Sequence, residues 1–133
     1  MIYLLDTNVV LHLVNRAEGF ERIREKLKSF TRIEIGLSAI TAMELWHKTL
    51  NIKASKRATA ETAAMLNAYR ILPFKGDAAK IGGQLLITAR TKGKPVGWPD
   101  TMLAAHALAL DATVVTDNTK DFAASGCKLE NWR

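Results

Sequence analysis

The chain has 133 residues, of which 48% are hydrophobic and 24% are charged, the balance of a globular protein rather than a disordered one. No apolar run approaches the roughly 20 residues that a membrane-spanning helix needs, and we expect no signal peptide. The single cysteine, Cys127, excludes an internal disulfide and favours the reducing cytoplasm. Nineteen Lys and Arg against 13 Asp and Glu give a net charge of +6, which favours anionic partners, nucleic acid first.

Short apolar runs bounded by turn residues predict strands, and amphipathic or alanine-rich segments predict helices between them. The predicted strands cover residues 2–5, 33–37, 71–74, 113–116 and 127–129, with Pro73 restricting the third strand to an edge. The predicted helices cover residues 9–14, 18–30, 38 or 41 to about 50, 58–69, 77–91 and 101–110, and residues 93–99 form a loop. This alternation predicts an α/β fold with a mostly parallel sheet, in one domain spanning residues 1–133.

Acidic residues follow several of the apolar runs or begin the helices after them. They are Asp6, Glu44, Asp100 and the pair Asp117 and Asp121. Active sites of open parallel sheets lie beyond the carboxyl ends of the strands, so we expect the fold to bring these carboxylates together. Clustered carboxylates repel one another and their pKa values rise, and a bound cation removes that penalty. An all-oxygen site without a Cys or His pattern suits Mg²⁺ or Mn²⁺ rather than Zn²⁺.

Each of these acids, taken alone, also has a purely structural explanation. Asp6 can cap the helix that follows it, and Glu44 lies at capping-box spacing from Thr41. Asp100 follows a proline at a helix start, where the helix dipole favours a carboxylate, and Asp117 is an ordinary turn residue. Their joint placement at one edge of a parallel sheet is what favours a functional site.

Four segments, in order along the chain, resemble the motifs of the PIN-domain family. They are residues 2–10 (IYLLDTNVV), 38–45 (SAITAMEL), 93–107 (GKPVGWPDTMLAAHA) and 114–122 (VVTDNTKDF). An Asp-Thr-Asn triplet after a strand is a weak signal alone, whereas four motifs at these spacings are specific and cover essentially the whole chain. Within the family, the chain is most similar to the VapC toxins of type II toxin–antitoxin systems.

The resemblance implies a three-layer α/β/α sandwich with a mostly parallel central sheet and a Mg²⁺-dependent endoribonuclease activity, with Mn²⁺ as a possible substitute. It makes Asp6 and Asp100 the primary metal ligands. Glu44 is the third acid, which binds the metal directly or through water. Thr7 and Asn8 are expected to orient the Asp6 carboxylate.

The fourth acidic position of the family motif is ambiguous in this chain. Asn118 occupies the position that carries Asp in many PIN domains, and Asp117 and Asp121 flank it. We favour Asp121, because similar VapC members often carry the acid just before a Phe, and keep Asp117 as the alternative. Thr116 and Asn118 are expected to support the carboxylates. An Asn at this position favours one tightly bound metal and a second that binds only with substrate.

The resemblance also implies a reaction and its control. A metal-activated water attacks in line and leaves a 5′-phosphate and a 3′-hydroxyl, without a side-chain nucleophile. The expected substrate is structured RNA, especially tRNA, with the initiator tRNA anticodon loop favoured, and Arg90, Lys92 and Lys94 form a basic rim with Trp98 beside it. A VapB-type antitoxin neutralises the enzyme, and a homodimer within a hetero-oligomer is expected.

Three other functions compete with this interpretation. A phosphohydrolase with Asp6 as nucleophile needs a second Asp two residues later, where this chain has Asn8. A catalytically silent nucleic-acid-binding relative is disfavoured by the intact acids, although Asn118 leaves it open. A nuclease for branched DNA is ranked low because the chain lacks the additional helical arch of such enzymes.

Overall fold

The computed structural model describes residues 1–51 and 55–133. Within these residues, five strands form one sheet in the order β3-β2-β1-β4-β5, and every neighbouring pair is parallel. The strands are β1 (Tyr3–Leu5), β2 (Ile35–Ser38), β3 (Arg70–Leu72), β4 (Thr113–Val115) and β5 (Lys128–Glu130). The predicted parallel α/β class is therefore confirmed, and the strand before Pro73 lies at an edge as expected.

Helices cover both faces of the sheet. They are α1 (Thr7–Val14), α2 (Phe20–Lys28), α3 (Ala39–Thr49), α4 (Lys56–Ala68), α5 (Gly76–Thr91), α6 (Trp98–Leu110) and α7 (Thr119–Phe122), which continues into a 3₁₀ turn (Ala123–Ser125). None of the helices in the described part of the chain is long and apolar enough to cross a membrane.

Two apolar cores lie on opposite faces of the sheet because neighbouring residues of a strand point to opposite sides. Leu5 and Val115 pack with α1, α2, α3 and α4, and Leu4 and Val114 pack with α5, α6 and α7. All four side chains are fully buried, as expected for strands covered on both faces. The arrangement is the three-layer α/β/α sandwich that the family resemblance implies.

The predicted elements differ from the observed ones mainly around the third motif and after the fourth. Helix α6 begins at Trp98, so the segment expected as a loop over 93–99 ends earlier. Pro99 lies in the first turn of α6, where its missing N–H group breaks no helical hydrogen bond. The short helix α7 and the 3₁₀ turn were not predicted, because three polar residues before Phe122 and a small-residue tract after it show no helical periodicity.

The register of β1 and β4 positions the residues that follow them. Leu5 pairs with Val115, so Asp6 and Thr116 leave the sheet side by side. The Asp6 amide donates a hydrogen bond to the Val115 carbonyl at 2.9 Å, which continues the pairing by one residue. This edge, at the carboxyl ends of the strands, is where an open parallel sheet places its active site.

Candidate active site

The Asp6 carboxylate is held rigidly at the end of β1. Asp6 caps α1, and its Oδ1 accepts a hydrogen bond from the Thr7 amide at 2.8 Å. Its Oδ2 accepts a hydrogen bond at 2.9 Å from the hydroxyl of Thr116, the residue that follows β4. Only 6% of Asp6 is exposed, so two donors from separate elements define the direction of a nearly buried acid. Asp6 therefore both caps a helix and points into the site.

Glu44 reaches the same site from α3. The N-cap of α3 is Ser38, whose hydroxyl accepts from the Ile40 amide, so the capping-box explanation for Glu44 is wrong. Instead, Glu44 Oε1 accepts a hydrogen bond from the Thr7 hydroxyl at 2.9 Å. Thr7 thus contacts Asp6 through its amide and Glu44, 37 positions later in the sequence, through its hydroxyl, which links the two acids.

Asp100 and Asp121 complete the acidic cluster from α6 and α7. Asp100 lies half-buried in the first turn of α6, and burial raises its pKa above the ordinary value, with smaller contributions from the charges of Asp121 and Glu44. Asp121 is exposed in α7 and accepts a hydrogen bond from the Asn118 side-chain amide. The structure therefore brings together four carboxylates, Asp6, Glu44, Asp100 and Asp121, hereafter the acidic cluster.

The pKa of Asp6 shows the electrostatic penalty of this arrangement. Burial raises it from 3.8 to about 6, and the hydrogen bond from Thr116 opposes that rise. The charges of Asp100 and Glu44 raise it further. Within residues 1–51 and 55–133, no Lys, Arg or His forms an ion pair with any member of the acidic cluster. The described part of the protein therefore provides no positive charge that pairs with the acidic cluster.

Asp117 has a different environment, although it lies between the strand end and Asp121. Its Oδ2 accepts a hydrogen bond from Arg133 at 3.0 Å and lies 3.1 Å from His12 Nδ1. This carboxylate is engaged by two basic side chains and does not join the acidic cluster, so the structure favours Asp121 as the fourth acid.

Thr116, Asn118 and Asn8, the other residues predicted to support the carboxylates, differ in their contacts. Thr116 contacts Asp6 directly, and its hydroxyl also accepts a hydrogen bond from the Asn118 amide at 3.0 Å. Asn118 in turn contacts Asp121. Asn8 is exposed on the first turn of α1, and the two hydrogen bonds to the Asp6 carboxylate come from other residues. None of these contacts involves Asn8, which was predicted to orient the Asp6 carboxylate.

The donor set is compatible with a hydrated divalent cation. In the described ranges, no group of three or more His, Cys, Asp and Glu side chains is arranged so that it could hold a metal ion. Mg²⁺ usually keeps several waters and takes only one or two carboxylates directly, so a partly open set of acids suits it. Burial and, to a smaller extent, the charges of neighbouring acids raise the pKa values of Asp6 and Asp100, and a cation there would favour their ionised forms.

Sequence reasoning missed a groove that adjoins the acidic cluster. Its lining includes Asp100 and Asp121, the lysines Lys92 and Lys94, and several small or aliphatic side chains. Arg90 is exposed on the last turn of α5, and 66% of Trp98 is exposed at the start of α6. The 3₁₀ turn after α7 closes the groove, and no sequence pattern predicts that turn.

Comparison with known proteins agrees with this geometry. The sequence matches the family described as PIN domain over residues 3–125. It is 31% identical to the tRNA(fMet)-specific endonuclease VapC of Salmonella typhimurium, over 98% of this chain and 97% of that protein. It is 30% identical to Ribonuclease VapC2 of Rickettsia felis, over 99% of this chain and 98% of that protein.

A solved structure shows the same fold. The DNA-bound VapBC complex from Salmonella typhimurium contains a chain that superposes with a TM-score of 0.86 and 30% identity, covering 100% of this chain and 99% of that one. The family match spans most of the chain, and the relatives are similar over nearly their full length. The chain therefore belongs to the PIN-domain family and, within it, to the VapC ribonucleases.

Proposed function

We propose that this chain is the toxin of a type II toxin–antitoxin pair and that it cleaves structured RNA as a Mg²⁺-dependent endoribonuclease. The observation that carries the proposal is the acidic cluster, four carboxylates that form no ion pair with a basic side chain in the described ranges. Burial and the charges of neighbouring acids raise the pKa values of two of its members, Asp6 and Asp100. A protein with a net charge of +6 that keeps such a cluster uncompensated is suited to bind a cation and a polyanion together.

Each acid has a distinct part in this proposal. Asp6 and Asp100 would hold the cation, and Glu44, which accepts a hydrogen bond from the Thr7 hydroxyl, would bind it directly or through water. Mg²⁺, when bound, supplies charge neutralisation at the scissile phosphate and an activated water, with Mn²⁺ as a possible substitute. Asp121, fixed by Asn118, orients water on the solvent side of the site. The products are a 5′-phosphate and a 3′-hydroxyl.

The substrate we favour is tRNA, with the initiator tRNA anticodon loop as the first candidate. The Salmonella typhimurium relative is named a tRNA(fMet)-specific endonuclease. Arg90, Lys92 and Lys94 lead along the chain to Asp100, and none of the three pairs with a carboxylate in the part of the chain that the structure describes. These cations are free to contact phosphates, and the exposed Trp98 ring is placed to contact a base.

We further propose that a VapB-type antitoxin controls this activity in the cytoplasm. Structural neighbours include VapBC complexes from Salmonella typhimurium and Rickettsia felis, which were solved with DNA. Cleavage of initiator tRNA by the free toxin would inhibit translation. A homodimer of this chain within a hetero-oligomer is the assembly that we expect.

The experiment that tests this proposal is cleavage of a total tRNA pool by the purified protein with Mg²⁺, with Mn²⁺ and with EDTA. The fragment ends are sequenced, and the Asp100→Asn variant is assayed beside the wild type. We expect cuts at discrete sites that EDTA and Asp100→Asn abolish. Cleavage that persists in EDTA, or that the variant retains, would contradict the metal-dependent reaction. Metal-dependent cuts in ribosomal RNA alone would contradict the tRNA assignment.

A further inference from the structure

The groove beside the acidic cluster has walls made of small and aliphatic side chains. It is formed by the end of α5, the connection to α6, the first turns of α6 and the 3₁₀ turn after α7. Its apolar walls are Leu85, Ala89, Val96, Ala104 and Ala124. These five side chains are uncharged and apolar, so they can pack against an aromatic ring system but offer no polar group to a phosphate or a sugar.

The lining of the groove carries charges of both signs. Lys92 and Lys94 are two of its residues, and neither pairs with a carboxylate within residues 1–51 and 55–133. Asp100 and Asp121, which belong to the acidic cluster, also line it. A polymer of uncharged rings joined by regularly spaced anionic groups complements this lining. Its anionic groups can contact the lysines and a cation bound at the acids.

We infer that this groove receives the base of a nucleotide that adjoins the scissile phosphate. The inference rests on the proposed function, since it names the part of the RNA that the same site recognises. The base packs on Ala89 and Ala124, one of its phosphates lies against Lys92 and Lys94, and the next phosphate reaches the acidic cluster. Single-stranded loops present unstacked bases for such contacts, whereas an intact duplex does not.

The polar groups in the groove wall give this base pocket some selectivity. Thr101 and Ser125 already donate their hydroxyl protons to the carbonyls of Gly97 and Phe122, so each offers only acceptor capacity to a ligand. The Thr88 hydroxyl lies on the exposed side of α5 and can donate or accept. A base that presents a donor towards Thr101 and Ser125 is therefore favoured over one that presents an acceptor.

Filling the groove tests the inference. Ala124→Trp places a large ring in the groove from an exposed position, and Ala89→Trp does so from α5. Ala79→Trp is the matched control, because Ala79 is exposed on α5 and does not line the groove. The substrates are an RNA hairpin carrying the cut site mapped in the tRNA-pool experiment and versions in which one base near the cut is removed. The Mg²⁺-dependent rise in Tm of each variant reports that the fold and the acidic cluster are intact.

We expect one abasic position to lower kcat/KM of the wild type and of Ala79→Trp by about tenfold, the change expected from losing roughly 60 Å² of buried apolar contact. Ala124→Trp and Ala89→Trp should cleave the intact hairpin about tenfold less efficiently than the wild type. When the substrate carries the abasic position, their kcat/KM should fall by less than about a further twofold. If both filled variants keep the full dependence on the base, or if no abasic position affects the wild type, the inference is overturned.

A failure of this inference can be distinguished from a failure of the proposed function. If the wild type cuts no RNA at all, the proposed function fails. If it cuts RNA without dependence on any neighbouring base, only the base pocket fails. Filled variants that cleave normally but no longer bind a protein partner would assign the groove to a peptide and would also overturn the inference.

Discussion

Asp117 and Asp121 follow the same strand and lie in one motif, but their electrostatic settings are opposite. Asp117 is engaged by Arg133 and by His12, so its charge is compensated by the protein. Asp121 forms no ion pair within residues 1–51 and 55–133, receives a hydrogen bond only from the neutral Asn118 amide and raises the pKa of Asp100. The contacts of Asp117 hold the C-terminus at the edge of the sheet, whereas the charge of Asp121 remains available to a ligand.

The comparison gives a physical criterion for assigning acids in this fold. A carboxylate that already has a cationic partner stabilises the structure, whereas carboxylates that lie together without one repel one another and destabilise it until a cation binds. By this criterion we propose that Asp6, Glu44, Asp100 and Asp121 serve the function and that Asp117 serves stability. Each prediction below separates the two groups.

The largest expected effect is the loss of cleavage in Asp6→Asn. Asn keeps the size of the side chain and can still accept a hydrogen bond from the Thr7 amide, but it removes the charge that holds the cation. Because a catalytic metal contributes several kcal/mol to the transition state, kcat/KM should fall by about a thousandfold or more. Single-turnover cleavage of the mapped RNA measures this, and a variant within about tenfold of the wild type would remove Asp6 from the reaction.

The same variant should make the metal-free protein more stable at neutral pH. The folded-state pKa of Asp6, about 6, is above its unfolded value of 3.8, so the folded state binds the extra proton between these values. In EDTA, the stability that Asp6 contributes therefore falls as pH rises from about 4 to 6, by up to about 3 kcal/mol.

Urea unfolding in EDTA at pH 4 and at pH 7.5 measures this difference. Asp6→Asn and the wild type should have similar stabilities at pH 4, and Asp6→Asn should be the more stable protein at pH 7.5. Excess Mg²⁺ should reduce or reverse the gap, since the cation binds only the wild type's ionised carboxylate. A wild type that is more stable than Asp6→Asn at pH 7.5 in EDTA would show that the acidic cluster is not repulsive.

Asp121→Asn and Asp117→Asn should have opposite effects. We expect Asp121→Asn to lower cleavage by about 10- to 100-fold, the usual range for a group that supports a metal site, with little loss of stability. Asp117→Asn should keep cleavage within about threefold and lose up to about 1 kcal/mol of stability, because it weakens the contacts with Arg133 and His12. Cleavage assays and urea unfolding of both variants decide the assignment, and a reversed pattern would make Asp117 the fourth acid.

Thr116→Val should shift the pH dependence of cleavage. The Thr116 hydroxyl donates to Asp6 and lowers the pKa of that acid, so its removal should raise the pH at which cleavage reaches half of its maximum. We expect a loss of about tenfold at pH 7 that becomes smaller at pH 8.5. Thr113→Val is the matched control, because Thr113 is buried on the same strand and its hydroxyl contacts the Met1 sulfur instead. An equal loss at both pH values would exclude an effect through Asp6.

The smallest effects are expected at the basic rim. Lys92→Ala and Lys94→Ala should each weaken RNA binding by a few fold and reduce the slope of log K against log salt by about one. Lys80→Ala, on an exposed turn of α5 away from the groove, should leave the slope unchanged. Binding measured at several salt concentrations in EDTA tests this, and equal slopes for all three variants would exclude a rim contact.

Much of the site follows from local sequence, because a parallel sheet places the ends of its strands together. Asp6 and Thr116 are adjacent since β1 and β4 pair in register, and an acid directly after an apolar strand is visible in the sequence. Glu44, in contrast, is linked to this pair by a hydrogen bond from the Thr7 hydroxyl. That bond joins helices α1 and α3, and no spacing in the sequence predicts it.

The residues of the fourth motif alone do not separate Asp117 from Asp121, and the preference for Asp121 came from the family resemblance. The different settings of the two acids depend on Arg133, which is remote from the motif in sequence and follows Trp132, a residue buried against Tyr3 and Phe30. The groove was missed for a similar reason, since the 3₁₀ turn that closes it is formed by small residues without periodicity. Long-range packing decides both features.

The most direct test of the central claim is whether Mg²⁺ binds the acidic cluster. Thermal unfolding of the wild type, Asp100→Asn and Asp117→Asn is followed at pH 7.5 as Mg²⁺ is raised from zero. We predict that Tm of the wild type and of Asp117→Asn rises by a few degrees and saturates, while Asp100→Asn shows no saturable rise. An unchanged Tm in the wild type, or the same rise in Asp100→Asn, would contradict the assignment of the acidic cluster as a cation site.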